Sequence, residues 1–139
     1  HSAFVRSDGV AIVIGGNNFG QCHVPELPEG VAYVNAGAGH SHTVLVRDDG
    51  EAVASGFNSS FQCTVPDLPP GTSYLKAVAG RTHTVLLRSD GMAIAFGCKG
   101  SGRCEVPSLP EGLGYVDAAA GRSHTILVRS DGAAVAFGY

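Results

Sequence analysis

The sequence predicts an all-β fold made of β-propeller blades of about three to four short antiparallel strands, and three recurrences carry that prediction. HSAFVRSDG begins at His1, HTVLVRDDG at His42, HTVLLRSDG at His83 and HTILVRSDG at His124, 41 residues apart each time with no insertion or deletion. QCHVPELPEG from Gln21, QCTVPDLPPG from Gln62 and RCEVPSLPEG from Arg103 keep the same step. So do YVNAGAG from Tyr33, YLKAVAG from Tyr74 and YVDAAAG from Tyr115. A fixed period of this length marks a chain built from one supersecondary unit that must stack on its neighbours to bury its faces. The division this implies is a first repeat over 1–41, a second over 42–82, a third over 83–123 and a partial fourth over 124–139.

Within the copy that starts at His83, HTVLLR is β-branched and aliphatic. His83, Val85 and Leu87 alternate with Thr84, Leu86 and Arg88 between two faces that are both largely apolar. A strand buried on both sides is expected. Ser89-Asp90-Gly91 reads as a hairpin turn of type I′, the turn that Asp-Gly favours. Met92 to Phe96 returns, and Gly97 ends the strand. The Pro107 and Pro110 segment cannot enter a ladder, so it predicts an extended surface connection. Tyr115 to Gly121 supplies a third strand, whose Ala118, Ala119 and Ala120 suit close packing near a central axis. Helices are excluded, because glycine and proline recur too often and apolar spacing follows period 2.

Composition agrees. Charged residues are 15% of the chain, glycine numbers 20, and the formal net charge is −3. No basic stripe is present to neutralise phosphates, which argues against nucleic-acid binding. No apolar run reaches the ~18 residues of a membrane span, which argues against direct membrane insertion. Neither end resembles the polar capping unit that terminates a repeat array, so a piece of a longer array is expected.

Cys22, Cys63 and Cys104 occupy one repeat position and are expected to be free, buried small hydrophobes. Equivalent positions in adjacent blades lie too far apart to bridge, and a Cys98–Cys104 link is a minor alternative. The four thiols lack zinc-site spacing. Cysteine usage leans to a reducing compartment, and so to an intracellular rather than a secreted protein. His1, His42, His83 and His124 are expected to be buried imidazoles bonded to neighbouring backbone rather than metal ligands. Arg6, Arg47, Arg88 and Arg129 are expected to pair with Asp8, Asp49, Asp90 and Asp131 rather than to form a phosphate-reading ring.

The pattern AGxxHTVLLRSDGxAxAFG, with Gly39-His40-Ser41-His42-Thr43, Gly80-Arg81-Thr82-His83-Thr84 and Gly121-Arg122-Ser123-His124-Thr125, resembles the repeat of the RCC1-like proteins. That family is named for the regulator of chromosome condensation. GNNFGQC from Gly16 is similar to its GxNxxGQL segment, with Cys22 in place of leucine. The resemblance spans the whole chain and implies a seven-bladed propeller. The 41-residue period is shorter than the founding member's and resembles a subgroup with three-stranded blades. Seven such blades need about 290 residues, so this chain represents about half a propeller and is expected to expose blade edges or faces.

Function is expected where the copies differ, since packing holds the scaffold while loops vary. The candidates are Asn17, Phe19, Phe57, Asn58, Phe61, Lys99 and Arg103, among which the aromatic residues are apt interface anchors. No catalytic residue, cofactor or metal is predicted. The leading reading is a non-catalytic scaffold that docks protein partners, within a larger complex or by self-association that completes the propeller. The resemblance implies two alternatives: guanine-nucleotide exchange on a small GTPase, and the substrate-binding part of a HERC-like ubiquitin ligase.

Overall fold

A computed structural model describes residues 1–139 and contains eleven short strands. They are β1 (Ser2–Val5), β2 (Ala11–Ile14), β3 (Tyr33–Ala38), β4 (His42–Arg47), β5 (Ala52–Gly56), β6 (Tyr74–Ala79), β7 (His83–Arg88), β8 (Ala93–Gly97), β9 (Tyr115–Ala120), β10 (His124–Arg129) and β11 (Ala134–Gly138). Their only helical companion is a 3₁₀ turn over Gly100–Gly102. The strands form one two-stranded sheet, β1-β2, and three antiparallel sheets ordered β3-β4-β5, β6-β7-β8 and β9-β10-β11. No helix is long and apolar enough to cross a membrane.

Each three-stranded sheet is a blade whose middle strand begins with the His-Thr pair. The strand that starts at the repeated tyrosine and closes one sequence repeat is the inner strand of the next blade, pairing with the middle strand that follows it. Covalent repeat and structural blade are therefore offset, so the chain stitches each blade to the one before. The inner strands need small residues for the expected reason. A Cβ on Gly37 of β3 would stand 2.9 Å from the Ala77 carbonyl oxygen of β6.

Alternation along the middle strand sends side chains to two different cores. Val44 and Val46 of β4 pack with Tyr74, Ala77 and Leu86 of the next blade, while Leu45 points back to Ala11 and Tyr33. Val85 and Leu87 of β7 repeat this with Tyr115 and Leu127. β4 and β7 are thus buried on both faces, as their composition predicts. The end blades show the converse. In β10, His124 and Ile126 are exposed although their counterparts His83 and Val85 are fully buried. In the first sheet, Phe4, Ile12 and Ile14 face solvent.

The hairpin turn differs from expectation. Gly91 has φ 83°, but Asp90 does not enter the positive-φ region, which type I′ requires. The Gly91 N–H donates to the Arg88 carbonyl and the Arg88 N–H to the Met92 carbonyl. This is a three-residue loop with glycine in the left-handed position. Asp90 holds it by accepting the Met92 N–H, while Arg88 grips the same carboxylate. Arg6–Asp8, Arg47–Asp49 and Arg129–Asp131 form the same local pair.

The repeated histidines bond differently from the sequence expectation, which placed them on neighbouring backbone. The Nε2 atoms of His1, His42 and His83 lie 2.8, 2.9 and 2.9 Å from the hydroxyls of Thr43, Thr84 and Thr125, each one blade further on. Each hydroxyl in turn donates to a loop carbonyl, of Gln21, Gln62 and Arg103 respectively. A hydroxyl has one proton to give, so the imidazole must donate from Nε2. His42 and His83 are therefore neutral rings protonated at Nε2, with Nδ1 buried and unpaired. Burial lowers the pKa of each to about 4.

The proline-bearing connections run along the surface as expected, and a tyrosine straps each one down. The hydroxyls of Tyr33, Tyr74 and Tyr115 donate to the carbonyls of Pro25, Pro66 and Pro107, all at 2.7 Å.

Candidate functional site

The variable loops leave the outer strands at residues 15–23, 56–64 and 97–105, and a shared internal scaffold shapes them. Asn17 Oδ1 accepts the Cys22 N–H and Asn58 Oδ1 accepts the Cys63 N–H, at 2.9 and 2.8 Å. Gln21 and Gln62 fold back to accept the N–H of Phe19 and Ser60. The third loop replaces both devices. Lys99 stands exposed where the other loops have asparagine. Arg103, in the glutamine position, turns inward and is only 9% exposed. Its guanidinium donates to the Gly100 carbonyl, the Thr82 hydroxyl and the Arg122 carbonyl, tying the loop to the next blade's turn.

All four cysteines are free, and no Cys98–Cys104 bond forms. They are half-buried rather than fully buried, and three of them act as donors. The thiols of Cys22, Cys63 and Cys104 point at the carbonyls of Gly16, Phe57 and Cys98. Burial pushes the Cys63 thiol up to about 11, which leaves it protonated and unreactive at neutral pH.

The aromatic candidates divide into a pair and a single residue. Phe19 and Phe57, from adjacent loops, stack edge to face with ring centroids 4.9 Å apart. Phe57 is half-buried while Phe19 keeps half its surface in water. Phe61 is 70% exposed and adopts φ 63°, a backbone state that its equivalents Gly20 and Gly102 share with φ 78° and 70°.

A second concave feature was not singled out by sequence reasoning. The turns between inner and middle strands line an axial funnel of about 620 Å³, with His40, Arg81 and Arg122 at one equivalent position on three successive blades. The signal was present in Gly39-His40, Gly80-Arg81 and Gly121-Arg122, but there it read only as part of the repeat pattern.

This arrangement defines the class by its fold: a run of three-stranded blades with the fold of RCC1-like β-propellers, joined by histidine–threonine contacts. Solved structures place it the same way. The chain is similar to human WBSCR16, at 19% identity over 81% of this chain and 36% of that one, with a TM-score of 0.68. It is similar to yeast RCC1 (Prp20), solved bound to Kap60, at 20% identity over 83% of this chain and 31% of that one, with a TM-score of 0.69. It is also similar to the CRINKLY WD40 ectodomain of the Arabidopsis thaliana receptor kinase ACR4, at 22% identity over 98% of this chain and 45% of that one, with a TM-score of 0.65. At these identities the likeness carries the fold, and the chain spans only 31% to 45% of these proteins' length. No family model matches the chain, and no curated protein matches it in sequence.

Proposed function

We propose that this chain is a non-catalytic docking module for protein partners, which it engages through the loops at 15–23, 56–64 and 97–105. The observation that carries the reading is Phe61. A left-handed backbone costs an L-residue about 1–2 kcal/mol relative to glycine, and an exposed phenylalanine forgoes the gain of burial. Glycine fills this position in both neighbouring copies. The fold therefore gains nothing from Phe61, whereas a partner surface would gain a large apolar anchor on a rigid scaffold. The yeast structure bound to Kap60 supports the reading by fold analogy, while neither nucleotide exchange nor ligase substrate binding has an observation in its favour.

Phe61→Gly separates the two roles. It is expected to raise stability by about 1 kcal/mol, read as a higher denaturant midpoint, while weakening retention of partners captured on the wild-type chain. A higher midpoint with the same partners retained removes the loop from the interface.

Self-association is part of the same proposal, and the end blades favour it. His124 presents its imidazole on an open face without a threonine, beside exposed Ile126. At the opposite face Ser2 holds the position of Thr43, beside exposed Phe4. The first face is thus the donor and the second the acceptor of the contact that joins every internal blade pair. A second copy stacked head to tail supplies what each lacks. Sedimentation is expected to show concentration-dependent dimers or longer assemblies that His124→Ala weakens; a monomer at every concentration rejects this contact.

A further inference from the structure

The chain's cations are almost all neutralised where they stand. Of the nine lysines and arginines, Arg6, Arg47, Arg88 and Arg129 each grip the aspartate two residues on, and Lys76 pairs with Asp117. Arg103 is spent on carbonyls and a hydroxyl inside the fold. Three cations remain without an acidic partner: Lys99, Arg81 and Arg122. Two of these three stand together on the axial funnel, with His40 completing the row. No carboxylate lines that funnel, although the chain carries a formal net charge of −3.

The backbone beneath this row is held while its two arginine side chains are free; the His40 Nδ1 lies 2.8 Å from the Ser41 hydroxyl. The His40 N–H donates to the Gly80 carbonyl and the Arg81 N–H to the Gly121 carbonyl, at 3.2 and 3.3 Å, so each turn is bonded to the turn of the next blade. The Arg122 carbonyl is fixed by Arg103. Ala38, Ala79 and Ala120 form a floor of small side chains, which lets an extended chain lie close to the backbone. The two guanidinium groups stand at one equivalent position on successive blades, so they are set side by side rather than aimed at one point. That spacing suits several carboxylates in sequence better than one small anion, and each guanidinium fork matches a carboxylate in bidentate fashion.

We propose that the axial funnel receives an extended, carboxylate-rich segment of a partner protein, with Arg81 and Arg122 each taking one acidic side chain. This surface is distinct from the Phe61 loop, so the two readings stand or fall on separate variants. The test is the fluorescence anisotropy of a labelled peptide of alternating glutamate and glycine, about ten residues long. Saturable binding is expected, severalfold weaker at about 200 mM than at about 50 mM salt. The double variant Arg81→Gln/Arg122→Gln is expected to weaken it about tenfold, and Arg122→Gln alone to weaken it less. Lys99→Gln, off the funnel, should leave it unchanged, as should Phe61→Gly. Absence of saturable binding overturns the proposal, and so does equal binding by the double variant. An equal loss in Lys99→Gln marks nonspecific charge attraction, and displacement by equimolar inorganic phosphate marks a simple anion site; either result overturns it. Both rim arginines are exposed, so the variants keep the fold, which an unchanged unfolding midpoint verifies.

Discussion

Gly80→Ala is expected to lower the thermal unfolding midpoint by roughly 10 °C or more, the equivalent of about 3 kcal/mol. The cause is close approach between blades rather than glycine's freedom of backbone angle. A methyl group on Gly80 would lie 2.3 Å from Cε1 of His83 and 2.5 Å from the Gly121 carbonyl oxygen. The ring cannot retreat without giving up its bond to Thr125, and the carbonyl belongs to the backbone of the next blade. Gly39→Ala meets the same pair of obstacles, His42 and the Gly80 carbonyl. Gly121→Ala is the internal control. The three atoms nearest its added methyl all belong to the His124 ring, which stands on an open face and can swing aside. Denaturant unfolding of the three variants should therefore show two large losses and one small loss. Equal losses at all three positions would place the cost in backbone propensity and not in the blade contact.

How far the sequence disclosed this arrangement depended on the distance between partners. The strand at 83–88, the pairing of Arg88 with Asp90 and the crowded alanines of the inner strand were all legible, because each rests on residues that are adjacent or at a fixed alternation. The histidine contact was not. His42 stands next to Thr43 in the chain, yet its partner is Thr84, and only the stacking of blades brings those two together. The tyrosine straps were missed for a related reason: a Tyr74 hydroxyl reaching the Pro66 carbonyl is invisible in a pattern of side-chain types. The Asp-Gly turn misled because a glycine at positive φ serves several turn classes. At the candidate loops, repetition showed where copies diverge but not which way side chains turn. It placed Lys99 and Arg103 together as interface residues, whereas Lys99 faces water and Arg103 is folded into the scaffold. The funnel escaped notice because His40, Arg81 and Arg122 differ in identity within a motif that otherwise repeats.

Mild acid should dissolve the contacts between blades before it reaches the surface ion pairs. His42 and His83 have an ordinary pKa of 6.5 when unfolded and about 4 when folded, chiefly because burial disfavours the charged ring. Protonation would place a second N–H at Nδ1, which is buried and makes no hydrogen bond in the neutral ring. A base with a depressed folded pKa binds more protons unfolded than folded, so stability rises with pH across the interval between the two values. The contribution is complete above pH 6.5 and is lost progressively as pH falls toward 4, at about 1.4 kcal/mol per pH unit for each histidine. Across the interval that is roughly 3 kcal/mol per ring, a large part of the about 5–15 kcal/mol that holds an ordinary domain folded. The carboxylates of Asp49, Asp90 and Asp131 work in a lower window. Their partner arginines hold them below the usual range of about 3.8, so their contribution persists above that value and fades only beneath it. Urea titrations at intervals between pH 8 and 4 should show the fall in unfolding free energy for the wild-type chain. In His42→Gln/His83→Gln the slope should flatten, since glutamine retains a side-chain N–H donor but cannot take up a proton. A slope unchanged by the double substitution would assign the acid sensitivity to other groups and leave the histidine contacts as packing alone.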